Sequence, residues 1–395
     1  MPTTATFLDQ ARLLQDQIVS LRRHLHQHPE LSFQEHETAR LAGEKLSRLG
    51  YAVRSGLART GLIADMGAGT TVAVRADMDG LPIQETTGKP YQSRNAGVMH
   101  ACGHDAHVSC ALAAAELLAR EKLPGRVRML MQPAEENGDE EGKSGAFRMI
   151  EDGAMDGVDA VIGLHMDASL PAGKVGIMAG PVMAAADIFK VVIRGKGGHG
   201  AYPETTIDSV VISAQVINAI QQIVSRRISA LDPAVVTVGS VHSESTRGNV
   251  VSPAVTMHGT IRSFTEPVRE KLIAELERAC AVARALGGDF ELSFELGYPA
   301  TVNDQLVVGV MREAACDLIG AENVVAIPPK TWSEDFSMLA NKAPGAFMFL
   351  GGEIAGDRRS HHSPNFDLDE SGLYLGSAIL AETACRLIGV LGKAK

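Results

Sequence analysis

Four short apolar runs, each leading into a cluster of polar side chains, constrain this chain more than any other feature. Thr71-Val72-Ala73-Val74-Arg75-Ala76-Asp77 runs into acidic residues, and 126–131 runs into Gln132-Pro133-Ala134-Glu135-Glu136. Residues 159–164 lead into His165, and 345–350 precede a loop holding His361 and His362. Apolar runs of this length, separated by glycine and followed by helical periodicity, read as strands of an α/β sheet with helices on both faces. Open sheets of that kind bind ligands beyond the carboxyl ends of their strands. Segments far apart in sequence are therefore expected to meet along one edge of one sheet.

Between the first two runs lies Met99-His100-Ala101-Cys102-Gly103-His104-Asp105-Ala106-His107, which opens a helix-like segment at 108–120. A thiol, imidazoles and a carboxylate are ligands for zinc, manganese, cobalt or nickel rather than calcium. A structural zinc site would need a second Cys or His pair at fixed spacing, and none of the other cysteines supplies one. Cys102 and His104 with nearby carboxylates fit an open, catalytic arrangement better. The adjacent carboxylates Glu135 and Glu136 point in different directions from a loop, so one can hold a cation while the other faces a water and moves its proton. On charge alone the pair reads equally as a solvated acidic loop, because Asp139, Glu140 and Glu141 follow. His165 and His362 gain weight from standing after strands. Arg75 and Asp77 suit the task of holding ligands and fixing their tautomers.

Residues 8–49 read as helical, with Leu13, Leu14, Ile18, Leu21 and Leu25 at three-to-four spacing and Pro29 as an interruption. His24, His26 and His28 are two apart on that helix, so they diverge and read as packing or surface residues. Residues 185–297 follow another rule. A strand at 188–193, a helix at 206–229 with Ile207, Val210, Val211, Ala214 and Ile217 on one face, strands at 234–241 and 254–263, a helix at 267–287 and a strand at 289–296 make β-α-β-β-α-β, the ferredoxin-like order. Lifted out, this segment leaves an α/β domain made of residues 1–184 and 298–395. Gly195-Lys196-Gly197-Gly198-His199-Gly200 matches the dinucleotide fingerprint, but Pro203 intervenes before any helix and no acidic residue follows at the right distance. It reads as a glycine-lined turn presenting His199.

At 395 residues the chain exceeds the roughly 250–300 at which one core stops growing, consistent with two domains. A net charge of −10 argues against nucleic acid or an anionic membrane as partner. The first residues, Met1-Pro2-Thr3-Thr4-Ala5-Thr6-Phe7, show no secretory leader, and no apolar run reads as the ~20 residues a bilayer span needs. Five scattered cysteines without a disulfide spacing favour a reducing, cytoplasmic setting.

In their order along the chain these motifs resemble the metal-dependent aminoacylase and carboxypeptidase-type amidohydrolases, in the branch of hippurate hydrolases and plant auxin-conjugate hydrolases. The resemblance runs through Arg22-Arg23, His28-Pro29-Glu30-Leu31, Arg75-Ala76-Asp77-Met78-Asp79-Gly80-Leu81-Pro82 and residues 99–107. It continues through 132–136, Gly163-Leu164-His165, Gly197-Gly198-His199-Gly200-Ala201 and Gly259-Thr260-Ile261-Arg262-Ser263, and closes with Ser333-Glu334-Asp335-Phe336 and His362-Ser363-Pro364. It implies a mixed-sheet, zinc-peptidase-like catalytic domain with an inserted α+β domain that mediates a homodimer. It also implies two divalent ions (manganese, zinc, nickel or cobalt) on Cys102, His104, Glu136, His165 and His362. Glu135 would be the general base for a metal-activated water attacking the amide of an N-acyl amino acid. His199 would meet the developing oxyanion, with Asn249 and Arg262 contacting substrate. A dipeptidase or carboxypeptidase on the same scaffold is the alternative, and a non-catalytic binding relative is the more distant one. The chain departs from the family's wording at Glu204, Val251-Ser252-Pro253, Met166-Asp167 and Arg247-Gly248. None of these is among the implied ligands, and all are positions that could line a substrate pocket.

Overall fold

The structure, a computed structural model, describes residues 6–393. The first five residues, on which most of the leader reading falls, lie outside the described residues. The chain divides into two compact units. One takes the chain up to Gly180, Val302–Pro328 and everything from Asp335; the other takes Pro181–Thr301 with Pro329–Glu334.

The larger unit is built on an eight-stranded mixed sheet in the order Ala52–Leu57, Gly61–Gly67, Arg126–Gln132, Thr71–Asp77, Ala160–Pro171, Gly345–Glu353, Val175–Gly176 and Val324–Val325. The four expected strands are its parallel centre, and the first two strands add an antiparallel edge. Thr71–Asp77 is buried at every position, as a parallel strand covered on both faces must be. Its Val72, Val74 and Ala76 share a core with helices Phe7–Gln27, His104–Ala119 and Leu373–Gly392. The helix His104–Ala119 is almost wholly buried, which accounts for its lack of a polar face. By length and composition alone the C-terminal helical stretch Glu370–Gly392 would suffice to cross a membrane, contrary to the sequence reading; 61% of its most apolar window is buried inside the fold. Its apolarity matches its burial, because it packs against the helices Phe7–Gln27 and His104–Ala119 and the strand Thr71–Asp77.

The smaller unit has four strands in the order Ala234–Ser243, Ala254–Ser263, Ala185–Arg194, Asp289–Leu296, every neighbour antiparallel. Helices Ser209–Gln222 and Glu266–Cys280 connect them in the β-α-β-β-α-β order. Its core gathers Phe189, Val191, Ile193, Met257, Leu272 and Leu276. One helix faces differently from its apolar count. Val210 and Val211 are exposed, and the buried stripe is Ser209, Ile212, Ser213, Val216 and Ile220. The two serines can turn inward because their hydroxyls donate to Ser252 O and Ser209 O, both at 2.7 Å. Residues 329–334 join this unit through main-chain bonds from Lys330 N to Val182 O and from Ala184 N to Lys330 O. Apolar periodicity could not show that return.

Candidate metal centre

The strand Thr71–Asp77 ends where its chain must turn, and Leu81 and Met99 then exchange both main-chain bonds, at 2.8 and 2.9 Å. That bridge brings the Cys-His segment to the sheet edge. Gly103 caps the following helix with φ 96°, and a Cβ there would lie 3.1 Å from Met166. Glycine therefore lets Cys102 and His104 project from either side of a left-handed turn. The strand Ala160–Pro171 pairs with Thr71–Asp77 only as far as Gly163, then continues beside Gly345–Glu353 with His165 opposite Phe349. His165 thus lies within a longer strand rather than after its end, and emerges where one neighbour has stopped. His362, at φ 58°, is tied by its N–H to Ala101 O at 2.8 Å.

These segments converge. Cys102, His104 and His165 offer ligand atoms within 4.8 Å of one another, as do Cys102, Glu136 and His362, and as do His104, Glu135 and Glu136. Cys102 Sγ lies 3.4 Å from His165 Nε2, and His362 Nε2 lies 3.3 Å from Glu136 Oε1. Buried His104 Nε2 and Glu136 Oε1 make no hydrogen bond, a costly state unless another group satisfies them. A mixed S/N/O donor set in two overlapping groups, with such orphaned atoms aimed inward, fits a pair of divalent cations.

The surrounding residues set the ligands' protonation. His165 Nδ1 donates to Met166 O at 2.7 Å, leaving the Nε2 lone pair for a metal. Burial, then the neighbouring His107 and His361, hold its pKa well below the ordinary histidine value. His104 Nδ1 faces Asp79 O at 2.9 Å and Asp79 Oδ1 at 3.2 Å. Burial opposes its charge, but Asp77 and Asp79 outweigh it and raise its pKa to about 10. The pocket's negative field favours a cation on Nε2, and a metal there would displace a proton. Asp79 Oδ1 and Oδ2 also accept the N–H groups of Glu135 and Glu136, at 3.2 and 3.0 Å. Arg75 reaches Asp77, Gln132 and Asp335, at 2.6, 2.8 and 2.8 Å.

Sequence reasoning missed Asp79 and His361 as parts of this centre. Asp79 carried a signal only as a second carboxylate two residues past Asp77, where the strand Thr71–Asp77 has already ended. His361 is half-buried, accepts Ala168 N–H at 3.2 Å and packs edge-on to His165. His26, by contrast, is enclosed by Asp105 at 2.7 Å and Glu85 at 3.4 Å, a packing role in line with its helical spacing.

His199, Asn249 and Arg262 belong to the smaller unit. His199 pairs with Val250 across a two-residue ladder, and Gly200 N donates to Asn249 O at 2.8 Å. No helix begins inside the glycine motif. His199 Nδ1 accepts Ala201 N–H at 3.0 Å, which leaves the neutral ring's proton on the exposed Nε2. Arg262 stands at the far end of the sheet, opposite Ala186, whereas Ala254 stands opposite Arg194 near the His199 turn. Eight strand residues at ~3.3 Å each separate those ends by about 26 Å.

Residues 73–386 match the model of peptidase family M20/M25/M40. The chain belongs to that family. Among M20 relatives, an N-acetyl-L-cysteine deacetylase of Bacillus subtilis is 41% identical over 95% of this chain and 89% of its own length. Thermostable carboxypeptidase 1 of Saccharolobus solfataricus is 41% identical over 93% and 94%. The crystal structure of a dinuclear metal-binding M20 peptidase from Bacillus subtilis superposes with a TM-score of 0.83 at 33% identity, covering 95% and 99% of the two chains. This M20 chain is a metal-dependent amidohydrolase, a hydrolase of C–N bonds, and the donor set above fits a dinuclear centre.

Proposed function

We propose that this enzyme hydrolyses the amide bond of N-acyl amino acids, with Cys102, His104, Glu136, His165 and His362 holding two divalent ions and Glu135 as general base. The observation that carries the reading is a second carboxylate placed beside the ligand groups. Glu135 Oε2 lies 3.9 Å from His104 Nε2, and Glu135 shares a group of ligand-type atoms with His104 and Glu136. Ions at this site, whether manganese, zinc, nickel or cobalt, would polarise the amide carbonyl and acidify a water. Glu135 takes that water's proton as it attacks the amide carbon and returns it to the departing amine, so the carboxylate is regenerated in each turnover. Arg75 and Asp77 keep the ligands in place. His199 donates from Nε2 to the developing oxyanion, and Asn249 and Arg262 bind the substrate's carbonyl and carboxylate.

The relative that acts on N-acetyl-L-cysteine supports the substrate class. The equally similar carboxypeptidase supports a second reading, peptide cleavage on the same scaffold. A panel of N-acetyl and N-benzoyl amino acids beside dipeptides and blocked peptides, run with defined metals, decides between them. The first reading expects kcat/KM at least about tenfold higher for the acyl amino acids, and the reverse order overturns it. The functional form is read as a homodimer joined through the smaller unit. A cytoplasmic setting suits five cysteines that are all free thiols.

A further inference from the structure

The buried carboxyl of Glu35 does no work in the mechanism above, yet it sits where strained backbone is concentrated. It is fully buried and, among the described residues, forms no ion pair. Burial, then the neighbouring Asp79, push its pKa up to about 7. Its Oε1 accepts the N–H of Phe33 at 3.0 Å and that of Ala134 at 2.8 Å, and its Oε2 accepts the Thr60 hydroxyl at 2.5 Å. Phe33 has φ 62° and Ala134 φ 48°, while Ala58 and Arg59, just before Thr60, have φ 46° and 71°. Each such left-handed non-glycine residue costs about 1 kcal/mol or more and persists only where its surroundings enforce it. One carboxyl thus meets three turns that contain four strained residues.

Ala134 is the turn that matters for chemistry. The N–H groups of Ala134, Glu135 and Glu136 go in succession to Glu35 Oε1, Asp79 Oδ1 and Asp79 Oδ2. On the other side Ala134 O accepts Gly145 N–H at 2.8 Å, and a Cβ on Gly145 would lie 1.6 Å from Pro133 O. Asp79 grips the two acidic residues directly. Glu35 grips the residue before Glu135, whose conformation decides where that base emerges, while Asp79 Oδ2 keeps its hold on Glu136.

We propose that Glu35 is a positioning residue for Glu135, holding Ala134 in the left-handed conformation from which that base projects toward the ion site. The inference rests on the reading of Glu135 as base. It depends on the length and acceptor oxygens of Glu35, not on its charge, which gives opposite expectations for two near-isosteric variants. Glu35→Asp keeps the charge but is one methylene too short to reach Ala134 N, and a misplacement of that size is expected to lower kcat about 10- to 100-fold. Glu35→Gln removes the charge but keeps an oxygen for both N–H groups and an amide for Thr60, and is expected to hold kcat within about threefold. In both, bound metal and KM stay within about twofold, because a pure positioning loss falls on the transition state. Adding Ala134→Gly to Glu35→Asp should recover about tenfold, since glycine adopts φ near 50° without strain. Should the Asp variant fail to fold, Ala134→Val with Glu35 intact tests the same turn, because a β-branched residue resists positive φ, and it too should lose kcat at constant metal content. Full kcat in Glu35→Asp or Ala134→Val, equal losses in Asp and Gln, or losses that track metal content or KM would each overturn the proposal. Glu135→Gln run alongside separates the two failures. If it stays active the base assignment fails, and if it is dead while the Glu35 and Ala134 variants keep full kcat, only this inference fails.

Discussion

His107 and Asp77 are joined by a 2.6 Å hydrogen bond from imidazole Nδ1 to carboxylate Oδ1. The other ring nitrogen accepts Met166 N–H at 2.8 Å, so neither is left to bind a metal, although Asp77, His104 and His107 lie close enough to be mistaken for a ligand triad. His104 differs, because its Nε2 hydrogen-bonds to nothing. Replacing His107 with glutamine should leave metal stoichiometry intact and weaken affinity about 10- to 100-fold, the usual effect of removing a residue that orients ligands. His104→Ala should lose an equivalent of metal. Elemental analysis after dialysis, with a competitive chelator titration, measures both. Loss of a full equivalent in the His107 variant would mean that its two bonds do not describe its role.

Glu135→Gln preserves the side chain's shape and the main-chain bond to Asp79 while removing the proton acceptor. Turnover is expected to fall about 10²- to 10⁴-fold, the range for loss of a general base, with bound metal and substrate affinity retained. Steady-state kinetics on metal-quantified protein gives the answer. A variant that still turns over freely would move the base elsewhere.

Arg75 is almost fully buried and ties together Asp77 on its own strand, Gln132 on the next strand and Asp335 at the start of the helix Phe336–Ala340. A methionine there would fill much of the volume but strand buried carboxylates. Breaking a buried pair from one side typically costs about 3–5 kcal/mol. Urea denaturation of Arg75→Met should show a loss of that order, and an Arg75→Met/Asp335→Asn double variant should recover part of it. A loss below about 1 kcal/mol in the single variant would show that water reaches these carboxylates.

The ligand types were legible in the sequence because few side chains bind such metals, and the strand ends that carry them were legible from short Val- and Ala-rich runs. Cys102 and His104 therefore stood out before any coordinate, whereas Glu136, His165 and His362 were read as ligands only through the family resemblance. What the sequence concealed has a common cause. Glu35 and Asp79 act on backbone N–H groups, and an N–H group is present at nearly every residue, so no spacing marks the one that matters. The inward turn of Ser209 and Ser213 was hidden for a related reason, because a serine hydroxyl bonded to a carbonyl buries almost as readily as a valine. The distance between His199 and Arg262 needed strand register, which periodicity alone leaves open.

His26 makes stability depend on pH in a direction that can be stated. Burial opposes its charge, and so does Arg22, but Asp105 and Glu85 outweigh them and hold its pKa above the ordinary value. The folded state then binds the proton more tightly than the unfolded state. The stabilisation is complete below the unfolded value of about 6.5 and is lost as pH rises through the raised folded value. His26→Gln should be less stable than the parent at acidic pH, with the gap in Tm narrowing as pH increases past neutrality. A gap that stays constant across pH would show that His26 contributes packing alone.

His199 lies in a two-residue ladder of its own, near the end of the sheet where Ala254 stands opposite Arg194, while Arg262 stands about 26 Å from Ala254 by strand rise, and an acyl amino acid is far shorter than that. If both residues touch one substrate, they come from two copies of the chain, as a two-fold dimer allows. The pairing of His199 with the base is then testable by complementation. His199→Ala protein keeps Glu135 but lacks the oxyanion donor, and Glu135→Gln protein keeps His199 but lacks the base, so each alone should be nearly inactive. Mixed after dissociation and reassociation, half of the dimers are hybrids, and in each hybrid one site receives Glu135 from one copy and His199 from the other. Activity should return to about a quarter of the parent's, one working site in each hybrid. If His199 serves the site of its own chain, every site in the mixture lacks one group and no activity returns. Size-exclusion chromatography with light scattering on the same samples confirms that reassociated dimers formed, so an inactive mixture would refute the delivery of His199 from a second copy.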